Sequence, residues 1–257
     1  MPADPANSTT RFGDRVADYV RYRPDYPDGV LHILRRELGL SSAWRIADVG
    51  AGTGILTARL LANGNVVDAV EPNAAMRAAA DERLGGLPGY HSHDGAAEAT
   101  GLPDGAIDCV TAAQAMHWFD APRAHAEFRR ILRPDGAITL VWNRRLLDAT
   151  PFLRDYEALL KLFATDYGAV RHELVDDAKL DVIYGGRVWT KHVLPNLQRF
   201  DFAGLRGRLL SSSYAPNIGQ PGHDPMLQEL TRIFAAHQRD GAVEILYETD
   251  VYCGKIA

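Results

Sequence analysis

Between residues 45 and 61 the chain reads Arg45-Ile46-Ala47-Asp48-Val49-Gly50-Ala51-Gly52-Thr53-Gly54-Ile55-Leu56-Thr57-Ala58-Arg59-Leu60-Leu61. A short apolar run, alternate glycines, and apolar residues at helical spacing give a buried parallel strand, a tight turn and a helix. That is a nucleotide-binding element. Glycine is required there because the chain turns sharply, and because a ligand can approach the backbone closely only where no Cβ intervenes. Spacing then narrows the ligand. The dinucleotide fingerprint puts a third small residue one position later, where this chain has Ile55, which disfavours nicotinamide and flavin cofactors. The next apolar run, 66–70, ends in Glu71-Pro72-Asn73. A carboxylate at that strand end, about 20 residues past the glycines, can accept both hydroxyls of a ribose. The ligand reads as a nucleoside with a free ribose and no pyrophosphate.

These residues resemble the class I S-adenosylmethionine-dependent methyltransferases, whose motif is an acidic residue, an apolar residue, then G-x-G-x-G. Here it stands as Asp48-Val49-Gly50-Ala51-Gly52-Thr53-Gly54, with Glu71 as the ribose acid. The competing structural reading is a tight turn beside an exposed glutamate. The resemblance implies S-adenosylmethionine as cofactor, held by Asp48, Gly50, Gly52, Thr53, Glu71 and Pro72. It also implies a doubly wound, mostly parallel seven-stranded α/β sheet with an antiparallel edge strand and a helical lid insertion.

Further positions follow from the same resemblance. The aromatic and arginine-rich stretch 12–27 is expected over the cofactor's methionine end, bringing Tyr19, Tyr22 and Arg23 near the reacting methyl. Alternatively, Tyr22 and Arg23 fasten an N-terminal helix to the core. Met76, on the helix expected over 74–84, is expected against the adenine ring, or is an ordinary helix-face methionine. Asp94-Gly95-Ala96-Ala97-Glu98 resembles the adenine-end motif, with Ala96 in the usual aspartate slot. The ring edge then falls to the backbone amides of Ala96 and Ala97, or to Asp94. Gln114-Ala115-Met116-His117-Trp118-Phe119 resembles the Gln-x-x-His-Trp-Phe run of a subgroup that includes relatives of trans-aconitate methyltransferase. It implies Gln114 by the sulfonium and His117 with Trp118 by the acceptor. For Trp118 the alternative is core packing, and for His117 a structural hydrogen bond. His117, whose side chain titrates near neutral pH, is the first candidate base and Tyr22 the second. Arg144, ahead of Arg145 at the end of the strand expected over 137–143, is a candidate for an anionic substrate group, although arginines there are often solvated surface.

The net charge of −5 is spread without a basic patch, which argues against nucleic acid and anionic membrane surfaces. Cys109 and Cys253 sit in apolar strand-like runs, as buried reduced thiols of a cytoplasmic protein would. No secretory h-region or membrane span is visible. His91 and His93 alternate on the short strand expected over 90–93, but no third ligand sits at a telling spacing, so no metal site is expected. The alternation of strands and helices breaks after residue 145 and resumes near 198. That divides the chain into 1–145, a cover helix and cofactor-binding core; 146–197, a lid that sets substrate choice, with a helix over 152–167; and 198–257, completing the same sheet. Strand six is expected over 196–202, helices over 205–212 and 225–239, and a period-two antiparallel strand over 243–256. The functional expectation is methyl transfer to a small-molecule acceptor, most simply to oxygen, by a monomer or homodimer. The alternative is a protein that binds S-adenosylmethionine, or another nucleoside, without catalysis.

Overall fold

The computed structural model describes residues 21–164, 176–212 and 214–256. Strands β1 (Arg45–Val49), β2 (Val66–Val70), β3 (Tyr90–His93), β4 (Ile107–Ala113), β5 (Leu132–Arg145), β6 (Trp189–Phe200) and β7 (Val243–Lys255) form one seven-stranded sheet in the order β3-β2-β1-β4-β5-β7-β6. The first five run parallel, and β7 is antiparallel to both β5 and the outermost β6. The order of the strands reverses between β1 and β4. The carboxyl ends of those two strands therefore frame the crevice in which open α/β sheets bind ligands.

Eight helices are described: α1 (Gly29–Leu38), α2 (Ile55–Ala62), α3 (Ala74–Leu84), α4 (Ala121–Ile131), α5 (Pro151–Phe163), α6 (Asp177–Ile183), α7 (Phe202–Leu210) and α8 (His223–His237). Local chemistry sets their limits. Asn73 caps α3, its side-chain oxygen accepting from the Ala75 and Met76 amides, and Asp120 caps α4 from Arg123. Gly39 closes α1 at φ +80°, where glycine is favoured over any residue with a Cβ. No described helix is long and apolar enough to cross a membrane.

The core has three parts. One face of the sheet packs Val49, Val110 and Ile138 against Phe128 and Ile131 of α4 and Leu180 of α6. The other packs Ile46, Val67 and Val141 against Val30 and Leu34 of α1 and Leu60 of α2. A third cluster joins α5, α7 and α8 to the ends of β6 and β7 through Leu153, Tyr156, Leu209, Leu230 and Tyr247. In the ladders Arg145, the last residue of β5, faces Tyr247, while β6 and β7 continue to the pair Phe200–Val243. The third cluster therefore stands beyond the carboxyl end of β5, as a helical cap.

Several boundaries differ from the sequence expectation. The strand expected over 137–143 begins at Leu132, which pairs with Ile107, and a register irregularity absorbs the 133–136 turn. Strand six begins at Trp189 rather than 196, because pairing with β7, not its own polar composition, extends it. The helix expected over 152–167 ends at Phe163; residues 165–175 lie outside the described residues. Cys109 and Cys253 are buried free thiols, and desolvation pushes them up to about 12 and about 11, which makes them inert.

Candidate functional site

The turn after β1 is built from three left-handed glycines, Gly50 (φ +69°), Gly52 (φ +57°) and Gly54 (φ +77°), and each meets different surroundings. A Cβ on Gly50 would lie 2.5 Å from the Ala115 Cβ, and one on Gly54 would lie 2.6 Å from the Leu84 Cδ1. Those two let the turn pack against its neighbours. Among the described residues, a Cβ on Gly52 would meet nothing within 4 Å. Gly52 therefore presents backbone that no described side chain covers, which is what a closely approaching ligand requires. Arg83 holds the turn from α3 by donating to the Gly54 carbonyl at 2.7 Å.

Asp48, expected in the cofactor site, is buried beneath this turn. Its carboxylate accepts the hydroxyls of Thr57 (2.6 Å) and Thr111 (2.8 Å), tying α2 and β4 to β1. Burial pushes its pKa up, against these hydrogen bonds. Its action on any ligand passes through the turn it braces. The neighbouring Thr53 hydroxyl is buried and makes no hydrogen bond among the described residues, so a donor or acceptor on a bound molecule would complete it.

Glu71 lies at the end of β2, 9% exposed. Its Oε2 accepts the Gly52 amide and its Oε1 the Asn73 amide, both at 2.8 Å. The carboxylate and the exposed glycine thus belong to one hydrogen-bonded unit, and each oxygen retains acceptor capacity for a ribose hydroxyl. Desolvation raises its pKa above the ordinary 4.5 and outweighs the two amide bonds. Pro72 follows, and Met76 is buried on the first turn of α3. Ala96 and Ala99 form an isolated bridge in which the Ala96 amide donates to the Ala99 carbonyl at 3.2 Å. Of the two amides expected at an adenine edge, Ala97's is the one outside that bridge. Asp94 is exposed and paired with Arg77 at 3.1 Å.

Across the crevice, Gln114 leaves β4 at φ +54°, a left-handed conformation uncommon without glycine and concentrated at functional positions. Its amide donates to Val141 (3.0 Å) and its Oε1 accepts the Asn143 amide (2.7 Å). A short 3₁₀ turn, Met116–Trp118, then sets the His117 ring 4.6 Å from Trp118 and 5.3 Å, edge-on, from Trp142 of β5. Trp118 also packs on the core, as the packing alternative for it expects. Among the described residues no group of His, Cys, Asp and Glu is arranged to hold a metal ion, and His93 lies 2.8 Å from the Asp68 carboxylate.

The segment before α1 is pinned over the same end of the sheet. The Asp25 carbonyl accepts from Asn143 (3.3 Å) and Asn196 (2.8 Å), and its carboxylate pairs with Arg59. Tyr22 is placed against the cap: its carbonyl accepts Gln198 Nε2 at 3.0 Å, and its ring lies over Gly207 of α7. Tyr22 and His117, the two candidate bases, thus pack on different clusters. Arg23 is half-buried at the turn that follows, and Tyr19 lies outside the described residues. Arg144 is bound to Glu248, with Asp250 at 3.8 Å, so its charge is already met within the sheet. Sequence reasoning missed Trp142 and Asn143. Asn143 links Gln114, Asp25, Asn196 and Thr249, yet in the sequence it is only one polar residue ending an apolar run.

The glycines permit a direct test. Gly50→Ala adds a clash to the left-handed penalty of about 1–2 kcal/mol. It is expected to lower stability to urea by more than Gly52→Ala does. Gly52→Ala, with no described side chain against it, is expected to fold and to lose ligand affinity. Equal stability of the two variants would show that Ala115 does not confine the turn.

The sequence matches the methyltransferase domain family over residues 47–140. It is 42% identical over 134 residues to an uncharacterized methyltransferase of Mycobacterium tuberculosis, covering 52% of each chain. This chain thus spans about half the length of that curated relative. It is 31% identical over 156 residues to an uncharacterized methyltransferase of Geobacillus kaustophilus, covering 57% of this chain and 67% of that one. Among solved structures, a protein of Anaeromyxobacter dehalogenans described as a candidate type II methyltransferase superposes with a TM-score of 0.64 at 25% identity, covering 91% of this chain and 98% of that chain.

Proposed function

The chain belongs to the class I S-adenosylmethionine-dependent methyltransferases, and we propose that it methylates an oxygen of a small-molecule acceptor held beside Gln114, His117 and Trp118. The observation that carries this reading is the Gly52 backbone that no described side chain covers, hydrogen-bonded to Glu71, on the β1 side of the crevice that Gln114 and His117 border from β4. The nucleoside fits there with its ribose on Glu71, its amino acid end toward Thr53 and Gln114, and its adenine among Pro72, Met76 and Ala97. When bound, the cofactor supplies a methyl carbon already electrophilic on a sulfonium, so the protein's main task is to hold an acceptor atom in line and exclude water.

Gln114, fixed by Val141 and Asn143, borders the sulfonium position, and the tryptophans around His117 supply a wall for an apolar acceptor. A carboxylate acceptor attacks without losing a proton. A phenol must lose one, and His117 is the group proposed to take it. Tyr22 and the helical cap of α5, α7 and α8 favour a lid that selects the acceptor. We place this chemistry in the cytoplasm, carried out by a monomer or homodimer on a free small molecule.

Incubation with methyl-labelled S-adenosylmethionine and panels of carboxylic acids, phenols and amines tests the proposal. Base-labile label on an acid, or base-stable label on a phenol, is the expected result. Label on amines alone would contradict oxygen as the acceptor.

A further inference from the structure

Asn143, near the carboxyl end of β5, joins parts of the molecule that lie far apart in the chain. Its backbone amide donates to Gln114 Oε1 at 2.7 Å. Its side chain is buried, and both polar atoms on it are used. Oδ1 accepts from the Thr249 hydroxyl of β7 at 2.5 Å and from Asn196 Nδ2 of β6 at 3.2 Å, and Nδ2 donates to the Asp25 carbonyl at 3.3 Å. Asn196 Nδ2 donates to the same carbonyl at 2.8 Å. Two side-chain amides from the sheet thus converge on one carbonyl of the segment before α1. Asparagine is disfavoured in a buried strand, and it stands here at the end of a largely apolar run with its polar atoms paired.

The carbonyl they hold lies in a stiff stretch. Pro24 and Pro27 bracket Asp25 and Tyr26, and each proline fixes its own φ and restricts the residue before it. The Asp25 carboxylate is paired with Arg59 of α2 at 2.7 Å, and the Tyr22 carbonyl accepts from Gln198 of β6 at 3.0 Å. Fixing the Asp25 carbonyl therefore helps fix residues 22–27 as one body, tied to α2, β5 and β6. On the crevice side, Gln114 holds φ +54°, and such a conformation persists only where its surroundings fix it. The Asn143 amide is one of the groups that do, together with the Val141 carbonyl, which accepts from the Gln114 amide. One residue thus sets the spacing between Gln114, through its backbone, and the cover segment, through its side chain.

We propose that Asn143 is a positioning residue for methyl transfer: it holds the cover segment over the amino acid end of S-adenosylmethionine, at the distance from Gln114 that the bound cofactor requires. This inference rests on the methyltransferase reading above and adds a residue that acts through Gln114 and Asp25 rather than by touching cofactor or acceptor. The critical feature is the Nδ2 donor. Aspartate has the same shape and keeps an acceptor for Thr249 and Asn196, but when ionised it turns a second acceptor toward the Asp25 carbonyl, and the two repel. When protonated it can donate there again.

The test is calorimetric titration of the full chain with S-adenosylhomocysteine and with 5′-methylthioadenosine, the same nucleoside without the amino acid. At about pH 8, Asn143→Asp is expected to weaken S-adenosylhomocysteine binding about tenfold, the scale of one hydrogen bond replaced by an unpaired buried group, and to leave 5′-methylthioadenosine within about twofold of wild type. Burial raises the pKa of a carboxyl group, so the gap between variant and wild type is expected to narrow at about pH 5.5. Asn143→Ala is expected to weaken S-adenosylhomocysteine as well, by a factor that does not change with pH. Equal loss of both ligands, which general damage to the fold would give, would overturn the proposal. So would S-adenosylhomocysteine affinity unchanged in either variant, or a gap in Asn143→Asp that is the same at both pH values. Should Asn143→Asp fail to fold, Asn143→Ala decides by the contrast between the two ligands. Failure of S-adenosylhomocysteine to bind the wild-type protein would strike the methyltransferase reading instead, and is seen before any variant is made.

Discussion

Glu71→Ala is expected to weaken S-adenosylhomocysteine binding about 5- to 150-fold, corresponding to about 1–3 kcal/mol for the lost hydrogen bonds. Two effects add. The variant removes the acceptor for the ribose hydroxyls, and it releases the Gly52 and Asn73 amides that the carboxylate holds at 2.8 Å. Glu71→Gln separates them, since a side-chain oxygen remains but the charge is lost. The pH dependence has a defined sign. Burial raises the Glu71 pKa above 4.5 in the folded protein, so protonation favours the folded state. Its contribution to stability is present below the unfolded value and is lost as pH rises through the folded one. Ligand affinity runs the other way, because the ionised carboxylate is the better acceptor. Between neutral pH and the ordinary glutamate range, acidification is expected to lower affinity, and Glu71→Gln to flatten that dependence. Affinity unchanged in Glu71→Ala would show that the ribose lies elsewhere.

Glu157→Ala is expected to destabilise the protein by about 3–5 kcal/mol, the usual consequence of removing one partner of a buried ion pair. Arg145 and Glu157 are 9% and 6% exposed at their side chains and 2.6 Å apart. Without its carboxylate the Arg145 guanidinium remains at the base of the cap, between β5 and α5. Lys161, 61% exposed, gains little from the same carboxylate, and Lys161→Ala is expected to change stability by less than about 1 kcal/mol. Urea denaturation checks both. The double variant Arg145→Met, Glu157→Leu is expected to recover most of the loss, since two apolar side chains replace two buried charges. A double variant as unstable as Glu157→Ala would show that packing rather than charge is responsible.

The parts of the site legible in the sequence are those fixed by near neighbours. The glycine turn and the Asn73 cap depend on residues a few positions apart, and the carboxylate ending β2 on the regular strand-helix-strand spacing of about 20 residues past the glycines, so backbone geometry alone constrains them. Asp48 shows where local reading stops: its place in the motif was evident, but its bonds to Thr57 and Thr111 depend on how α2 and β4 dock. Arg144 and Arg145 look equivalent in the chain. They differ because one meets Glu248, 104 positions away, and the other meets Glu157. The early start of β6 was hidden for a related reason, because its polar residues read as loop until β7 supplies the ladder.

The central claim is that the β1 turn with Glu71 binds the nucleoside of S-adenosylmethionine. Its most direct test is parallel calorimetric titration of the purified protein with S-adenosylmethionine, S-adenosylhomocysteine and NAD. Saturable binding of the first two with no heat from NAD is the predicted result. Binding of NAD without the other two would contradict the spacing at Ile55, the role of Glu71 and the methyl-transfer function that depends on them.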